Sequence, residues 1–160
     1  MATQNIIQYL ETSAYFADQR EGSTTSIGVE AMNRRQVETF IASGAIAIGE
    51  AVSLDLSKTT GGDAMIHAIV GDDTTATKVA CVGFALTAAA DGETVDVCIA
   101  GICEGKVANG VAIGDRLRLD AAGVAEVYAA TDTMPIVAYA VDENSSGSAA
   151  LATVIVIKQM

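Results

Sequence analysis

Residues Ala47–Asp55 read AIGEAVSLD and residues Ala112–Asp120 read AIGDRLRLD, so one nine-residue phrase stands twice, 65 positions apart, in a chain of 160 residues. The echo continues downstream. Val82-Gly-Phe-Ala-Leu86 aligns with Val137-Ala-Tyr-Ala-Val141, and Gly92 then falls on Gly147 without a gap. Self-similarity of this kind indicates two copies of one β unit, over about residues 47–102 and 112–157. Sixteen residues separate the matched phrases in the second copy and twenty-six in the first, which places ten inserted residues between Leu56 and Cys81. Insertions of that size belong in surface loops.

From Val37 onward, short Val/Ile/Leu-rich runs alternate in places and are punctuated by Gly or Asp-Gly, the pattern of antiparallel β structure. Strands are expected at Val37–Ala42, Ala51–Leu56, Ala64–Val70, Lys78–Leu86, Thr94–Ile102, Gly105–Ala108, Arg116–Leu119, Ala125–Ala129, Pro135–Val141 and Ala150–Ile157. Asp91-Gly92, Ala122-Gly123 and Ser146-Gly147 read as the turns between them. Arg116-Leu-Arg-Leu119 alternates cleanly, giving that strand one dry side and one wet side. The expected fold is all-β, an antiparallel β-barrel or sandwich built from two related β units. Residues 42–160 form this β domain, and residues 1–41 form an extended or partly helical N-terminal arm.

Aromatic residues make up only 4% of the chain and Trp is absent, so Val, Ile and Leu must fill the interior. Twenty acidic residues against nine basic ones leave a formal charge of −11. That charge repels polyphosphate and removes the electrostatic term behind most nucleic-acid affinity, so nucleic acid is not an expected partner. No apolar run approaches the roughly 18–20 residues of a membrane span, and Met-Ala-Thr-Gln-Asn lacks the basic, then apolar profile of a secretion signal. The expectation is synthesis in the cytosol, with no membrane partner. An odd count of three cysteines then points to reduced thiols packed as small hydrophobes. Cys98 and Cys103 are five positions apart, so a straight strand would send them to opposite faces.

The first forty residues differ in kind. They are rich in Gln, Thr, Ser and Glu, yet hold Tyr9, Tyr15, Phe16 and Phe40, four of the seven aromatics. Ile6, Ile7, Tyr9, Leu10, Tyr15 and Phe16 are adhesive side chains with few neighbours to bury them. Two readings stay open: an amphipathic helix over Ile6–Phe16 packed on its own barrel, or an arm that reaches another subunit. Arg34-Arg35 is either a solvated pair or a docking point for an acidic neighbour.

Motifs with chemical overtones each meet an objection. Gly101-Ile-Cys-Glu-Gly105-Lys106 has three residues between its glycines and Val107 after the Lys, where a phosphate-binding loop has four and a Ser or Thr. Glu30-Ala31-Met32-Asn33 resembles a biotin-acceptor motif with Asn33 in place of the lysine. Asp63, Asp72 and Asp73 lack calcium-loop spacing. His67 stands alone in an apolar stretch, too few imidazoles for a zinc site and a poor candidate base. No Gly-x-Ser-x-Gly elbow occurs. Asn144-Ser145-Ser146 matches a glycosylation sequon in a chain not expected to be secreted. No catalytic residue, cofactor or metal is expected.

The order Ser-Gly-x-x-x-x-Gly-x-x-Val at Ser43–Val52, Gly-Ile-Cys-Glu-Gly-Lys-Val-x-x-Gly-Val-Ala-Ile-Gly-Asp-Arg-Leu from Gly101, Leu-Asp-x-x-Gly at Leu119–Gly123 and Pro-Ile-Val-Ala-Tyr-Ala at Pro135–Ala140 resembles the small capsid decoration, or cement, proteins of tailed bacteriophages. The resemblance spans about Ala42–Ile157. It implies a β body on the outer face of a phage head, bound to the major capsid protein, often as homotrimers that tie capsid subunits together. Ile6, Ile7, Tyr9, Leu10, Tyr15, Phe16, Arg34 and Arg35 are then the candidate capsid or inter-subunit contacts. The competing readings are a tail, fibre or surface-recognition protein that binds a receptor or glycan, and an enzyme using His67 or the Asp72–Asp73 pair. Scarce aromatics count against a glycan site.

Overall fold

The computed structural model describes residues 35–58, 63–76, 78–131 and 134–157. Nine strands account for the regular structure there: β1 Gln36–Ala42, β2 Ala51–Leu54, β3 His67–Val70, β4 Cys81–Ala85, β5 Thr94–Val107, β6 Arg116–Leu119, β7 Ala125–Val127, β8 Ile136–Ala140 and β9 Ala150–Val156. Two single 3-10 turns, Asp63–Met65 and Ala121–Gly123, are the only helical residues among those described. The all-β expectation holds, and of its two architectures the chain adopts the barrel.

It does so twice. β1, β3, β2, β4 and the first half of β5 pair in that order, and β1 returns to pair with β5, which closes a five-stranded barrel 1. The second half of β5 with β7, β6, β8 and β9 repeats the order and closes through β5–β9 as barrel 2. The long strand β5 is therefore the last strand of one barrel and the first of the other. Antiparallel pairing throughout fails at one seam in each, β1–β3 and β5–β7, which are parallel. The reason is arithmetic, because strand direction cannot alternate all the way round a closed ring of five.

The registers coincide residue by residue. Val52 pairs with Val70 in barrel 1 as Leu117 pairs with Val127 in barrel 2, and Ala85 with Val97 as Ala140 with Val154. Even the bulge is repeated, between Val52 and Ser53 and again between Leu117 and Arg118. The repeated phrase forms the same turn each time. The carboxylate of Glu50 accepts from the Ala47 amide at 2.9 Å, and that of Asp115 from the Ala112 amide at 2.8 Å. Gly49 and Gly114 supply the positive φ that this turn needs (79° and 87°).

The pairing also locates the insertion. Thirteen residues lie between Leu54 and Ala68 where five lie between Leu119 and Ala125, and ten lie between Val70 and Cys81 where eight lie between Val127 and Ile136. Eight of the ten extra residues therefore lengthen the β2–β3 connection and two the β3–β4 connection.

Two expected strands, Thr94–Ile102 and Gly105–Ala108, are one continuous strand. Gly101 (φ 98°) and a register slip opposite Gln36 and Val37 bend β5 instead of ending it. The bend also corrects the parity argument for the cysteines. Cys98 and Cys103 do not diverge, and both are buried in the same core cluster.

Each barrel is filled by small aliphatic side chains, as the composition requires. Val52, Leu54, Val82, Val95 and Val97 occupy barrel 1, and Leu117, Leu119, Val137 and Val154 barrel 2. Phe84 and the three cysteines are buried as well, Phe84 within the barrel 2 cluster.

Candidate interaction surface

Of the candidate contact residues, Ile6, Ile7, Tyr9, Leu10, Tyr15, Phe16 and Arg34 lie outside the described residues. Arg35 leads into β1, half-buried, and its positive charge acts on the thiols of Cys98 and Cys103. The interaction of the two thiols with each other holds that of Cys98 below the ordinary range and pushes that of Cys103 up. Burial, outweighing a hydrogen bond to the Gly83 carbonyl, pushes Cys81 up to about 12. All three are free and buried, packed as core side chains.

The residues with chemical overtones are each engaged in structure. His67 Nδ1 lies 2.8 Å from the Asp63 carbonyl oxygen. Asp72 accepts from the Thr74 amide and hydroxyl at 2.9 and 2.6 Å and from the Thr75 hydroxyl at 3.0 Å, bonds that draw its carboxyl below the usual range. Asp73 pairs with Arg118 at 2.9 Å, and Arg118 also pairs with Glu126. The wet side of β6 is thereby partly turned to joining the barrels. Among the described residues no three His, Cys, Asp or Glu side chains gather as metal ligands, and no helix is long and apolar enough to cross a membrane.

The sequon asparagine is a buried fastener. Asn144 Nδ2 donates towards the carbonyls of Val107 and Ala108 at 3.0 Å and of Ser148 at 2.9 Å, and its Oδ1 accepts from Ser146. Its counterpart in barrel 1 is Ala89, since the isolated bridge Ile46–Ala89 matches Val111–Asn144. There the Gly92 amide bonds the Ala42 carbonyl directly at 2.8 Å. The β8–β9 connection is two residues longer, and the asparagine side chain spans the difference.

What the described surface does offer is projecting apolar side chains. Ile48 and Ile113, the second residues of the two repeated turns, are 50% and 70% exposed. A turn tip has no packing need for a branched apolar residue, and this chain places one there in both copies. Sequence alone does not single them out, because branched apolar residues in a strand-rich chain read as core. The available signal was the retention of Ile where Asn, Asp or Gly is the common choice. Tyr139 and Ile155, cross-strand neighbours on β8 and β9, are also exposed.

The described residues thus form two fused five-stranded barrels with buried aliphatic interiors and several exposed apolar side chains. No family model matches the chain, and no curated protein does. Among solved structures it is similar to the head fiber gp8.5 N base of bacteriophage phi29, with a TM-score of 0.54 and 17% identity over 78% of this chain and 95% of that one. The likeness establishes a shared fold.

Proposed function

We propose that this chain is a non-enzymatic structural protein of a phage virion that binds the outer surface of the head and stabilises the capsid lattice. The observation that carries the reading is the fold held in common with a head fiber base over nearly the whole of that chain. The decoration-type motifs from Gly101 to Ala140 point the same way. In this role the tandem barrel is the rigid body. The segment with Ile6, Ile7, Tyr9, Leu10, Tyr15 and Phe16, continued by Arg34 and Arg35, is the attachment arm, and Ile48 and Ile113 are further contacts. The partners are the major capsid protein and other copies of the chain, as a homotrimer. A ligand that binds only the expanded, DNA-filled lattice stabilises it by its binding free energy, summed over many sites. An extended arm gains main-chain hydrogen bonds where it adds to a sheet edge.

The test is to add the full chain, and a chain lacking Ala2–Arg20, to purified heads that lack the protein. The full chain is expected to bind to saturation and to raise the temperature at which heads release DNA. The truncated chain is expected to stay folded and not bind. Full binding by the truncated chain refutes the arm. The neighbour's being a fiber base favours a second reading, a fibre or surface-recognition protein for a receptor or glycan. Binding without any gain in head stability would select it.

A further inference from the structure

The chain holds four asparagines, and Asn109 alone is followed by glycine. The pair lies exposed at the start of the β5–β6 connection, where Gly110 turns the chain with a φ of 85°. A side-chain amide before a glycine is a latent electrophile. With no Cβ on the following residue, the main-chain nitrogen can reach Cγ and close a five-membered ring. A Cβ on Gly110 would meet nothing within 4 Å, so solvent has access to this peptide unit.

One neighbouring segment holds both reacting groups. Asn109 Oδ1 accepts from the Gly147 amide at 2.9 Å, and the Gly110 amide donates to the Asn144 carbonyl at 2.7 Å. Residues 144–147 of the β8–β9 connection thus fix the electrophile at one end and the nucleophile at the other. That segment is itself fastened by the Asn144 side chain and by the Ser146 hydroxyl, which donates towards Asn144 Oδ1 at 2.7 Å and the Ser148 carbonyl at 3.0 Å. Asn109 Nδ2 has no hydrogen-bond partner among the described residues. Barrel 1 ties the equivalent connections without a carboxamide. By the matching bridges Ile46–Ala89 and Val111–Asn144, Gly44 stands where Asn109 does, and its main-chain amide donates to the Asp91 carboxylate at 2.8 Å. The tie needs only a donor and an oxygen, and barrel 2 takes its oxygen from a group that can lose ammonia.

We propose that Asn109 is a self-modification site, shielded while residues 144–147 are docked and reactive when local opening lifts them away. On release, the Gly110 nitrogen gives its proton to hydroxide and attacks Cγ of Asn109. The N–Cγ bond forms, the Cγ–Nδ2 bond breaks, and Nδ2 leaves as ammonia with a proton taken from water. Water then opens the succinimide. Breaking the new N–Cγ bond yields aspartate, and breaking the bond from the Gly110 nitrogen to the Asn109 main-chain carbonyl carbon yields isoaspartate. Aspartate keeps a side-chain oxygen for the Gly147 amide. Isoaspartate routes the main chain through Cβ and Cγ, which lengthens it by one atom and takes Gly110 out of register with Asn144. The change is one-way, and it falls in the connection that carries the Ile113 tip.

The experiment uses the full chain without heads, so its outcome is separate from that of head binding. Wild type, Asn144→Ala and Ser146→Ala are aged in mildly alkaline buffer with and without urea, and circular dichroism identifies the folded samples. Trypsin releases Val107–Arg116, in which Asn109 is the only asparagine, and mass spectrometry reads the exchange of its amide for a carboxyl. Folded wild type is expected to convert at least about tenfold more slowly than wild type in urea, and each loosened variant about tenfold faster than wild type while folded. Where Asn144→Ala does not fold, Ser146→Ala decides alone. Equal rates for folded and unfolded wild type overturn the proposal. So do folded variants no faster than wild type, or a Val107–Arg116 peptide that keeps its amide in urea.

Discussion

A Cβ on Gly105 would stand 2.7 Å from Cδ1 and 2.8 Å from Cε1 of Phe84, so the ring carried by barrel 1 takes the volume that a side chain on barrel 2 would fill. The register explains why. Gly105 pairs with Ala152 as Phe40 pairs with Val95. Barrel 1 fills this position with Phe40, and barrel 2 borrows Phe84 from its neighbour. The two barrels therefore share part of one core as well as one strand.

This sharing predicts non-additive energetics. Phe84→Ala is expected to cost about 3–5 kcal/mol by opening a cavity, and Gly105→Ala about 1–3 kcal/mol by overpacking. The double variant should be more stable than the sum of the two losses implies, by at least about 0.5 kcal/mol. Urea unfolding of the four proteins measures the cycle, and strict additivity would show that the ring and the glycine do not compete for the same space.

Asn144→Ala should destabilise the chain by about 1–3 kcal/mol, because the Val107 carbonyl loses its side-chain donor in a buried setting. The presence of alanine at the equivalent Ala89 does not make the change neutral. In barrel 1 the shorter hairpin brings a backbone amide to that carbonyl. Thermal unfolding of the variant decides the point.

Asp55 supplies a pH signature. Burial works to raise its pKa, but bonds from the Ser57 hydroxyl and amide at 2.5 and 3.1 Å, with Ser43 and the charge of Lys58, outweigh it and bring it below 3.8. A depressed carboxylate contributes stability above its unfolded pKa and loses it as pH falls through the folded value. Asp55→Asn should thus cost about 1–3 kcal/mol at pH 7 and progressively less below pH 3.8. Denaturation of wild type and variant at both ends of this range gives the difference, and a gap independent of pH would contradict the assignment.

Ile48→Asp with Ile113→Asp should leave stability within about 0.5 kcal/mol, since both tips are solvent-facing. Binding to heads should fall at least about tenfold, as for loss of an apolar anchor. Wild-type binding by the double variant would remove the turn tips from the interface.

Much of the fold was legible because a duplicated phrase is readable without any structure. The strand pattern, the three glycine turns and the dry side of Leu117 and Leu119 all followed from local chemistry. What was not legible depended on the second dimension of the sheet. The parallel seams come from closing five strands, and the course of β5 through Gly101 comes from one strand serving two barrels. The meeting of Cys98 with Cys103 follows from that bend, which spacing alone does not reveal. The surface was less legible than the core. Exposed Ile48 and Ile113 look in sequence like core residues, and only their place on a turn tip shows that they face solvent.

The central claim is tested most directly by electron microscopy of particles carrying this protein against particles that lack it. The account predicts difference density for a double barrel on the outside of the head, repeated at defined lattice positions. Density confined to the tail, or identical heads in the two samples, would contradict it.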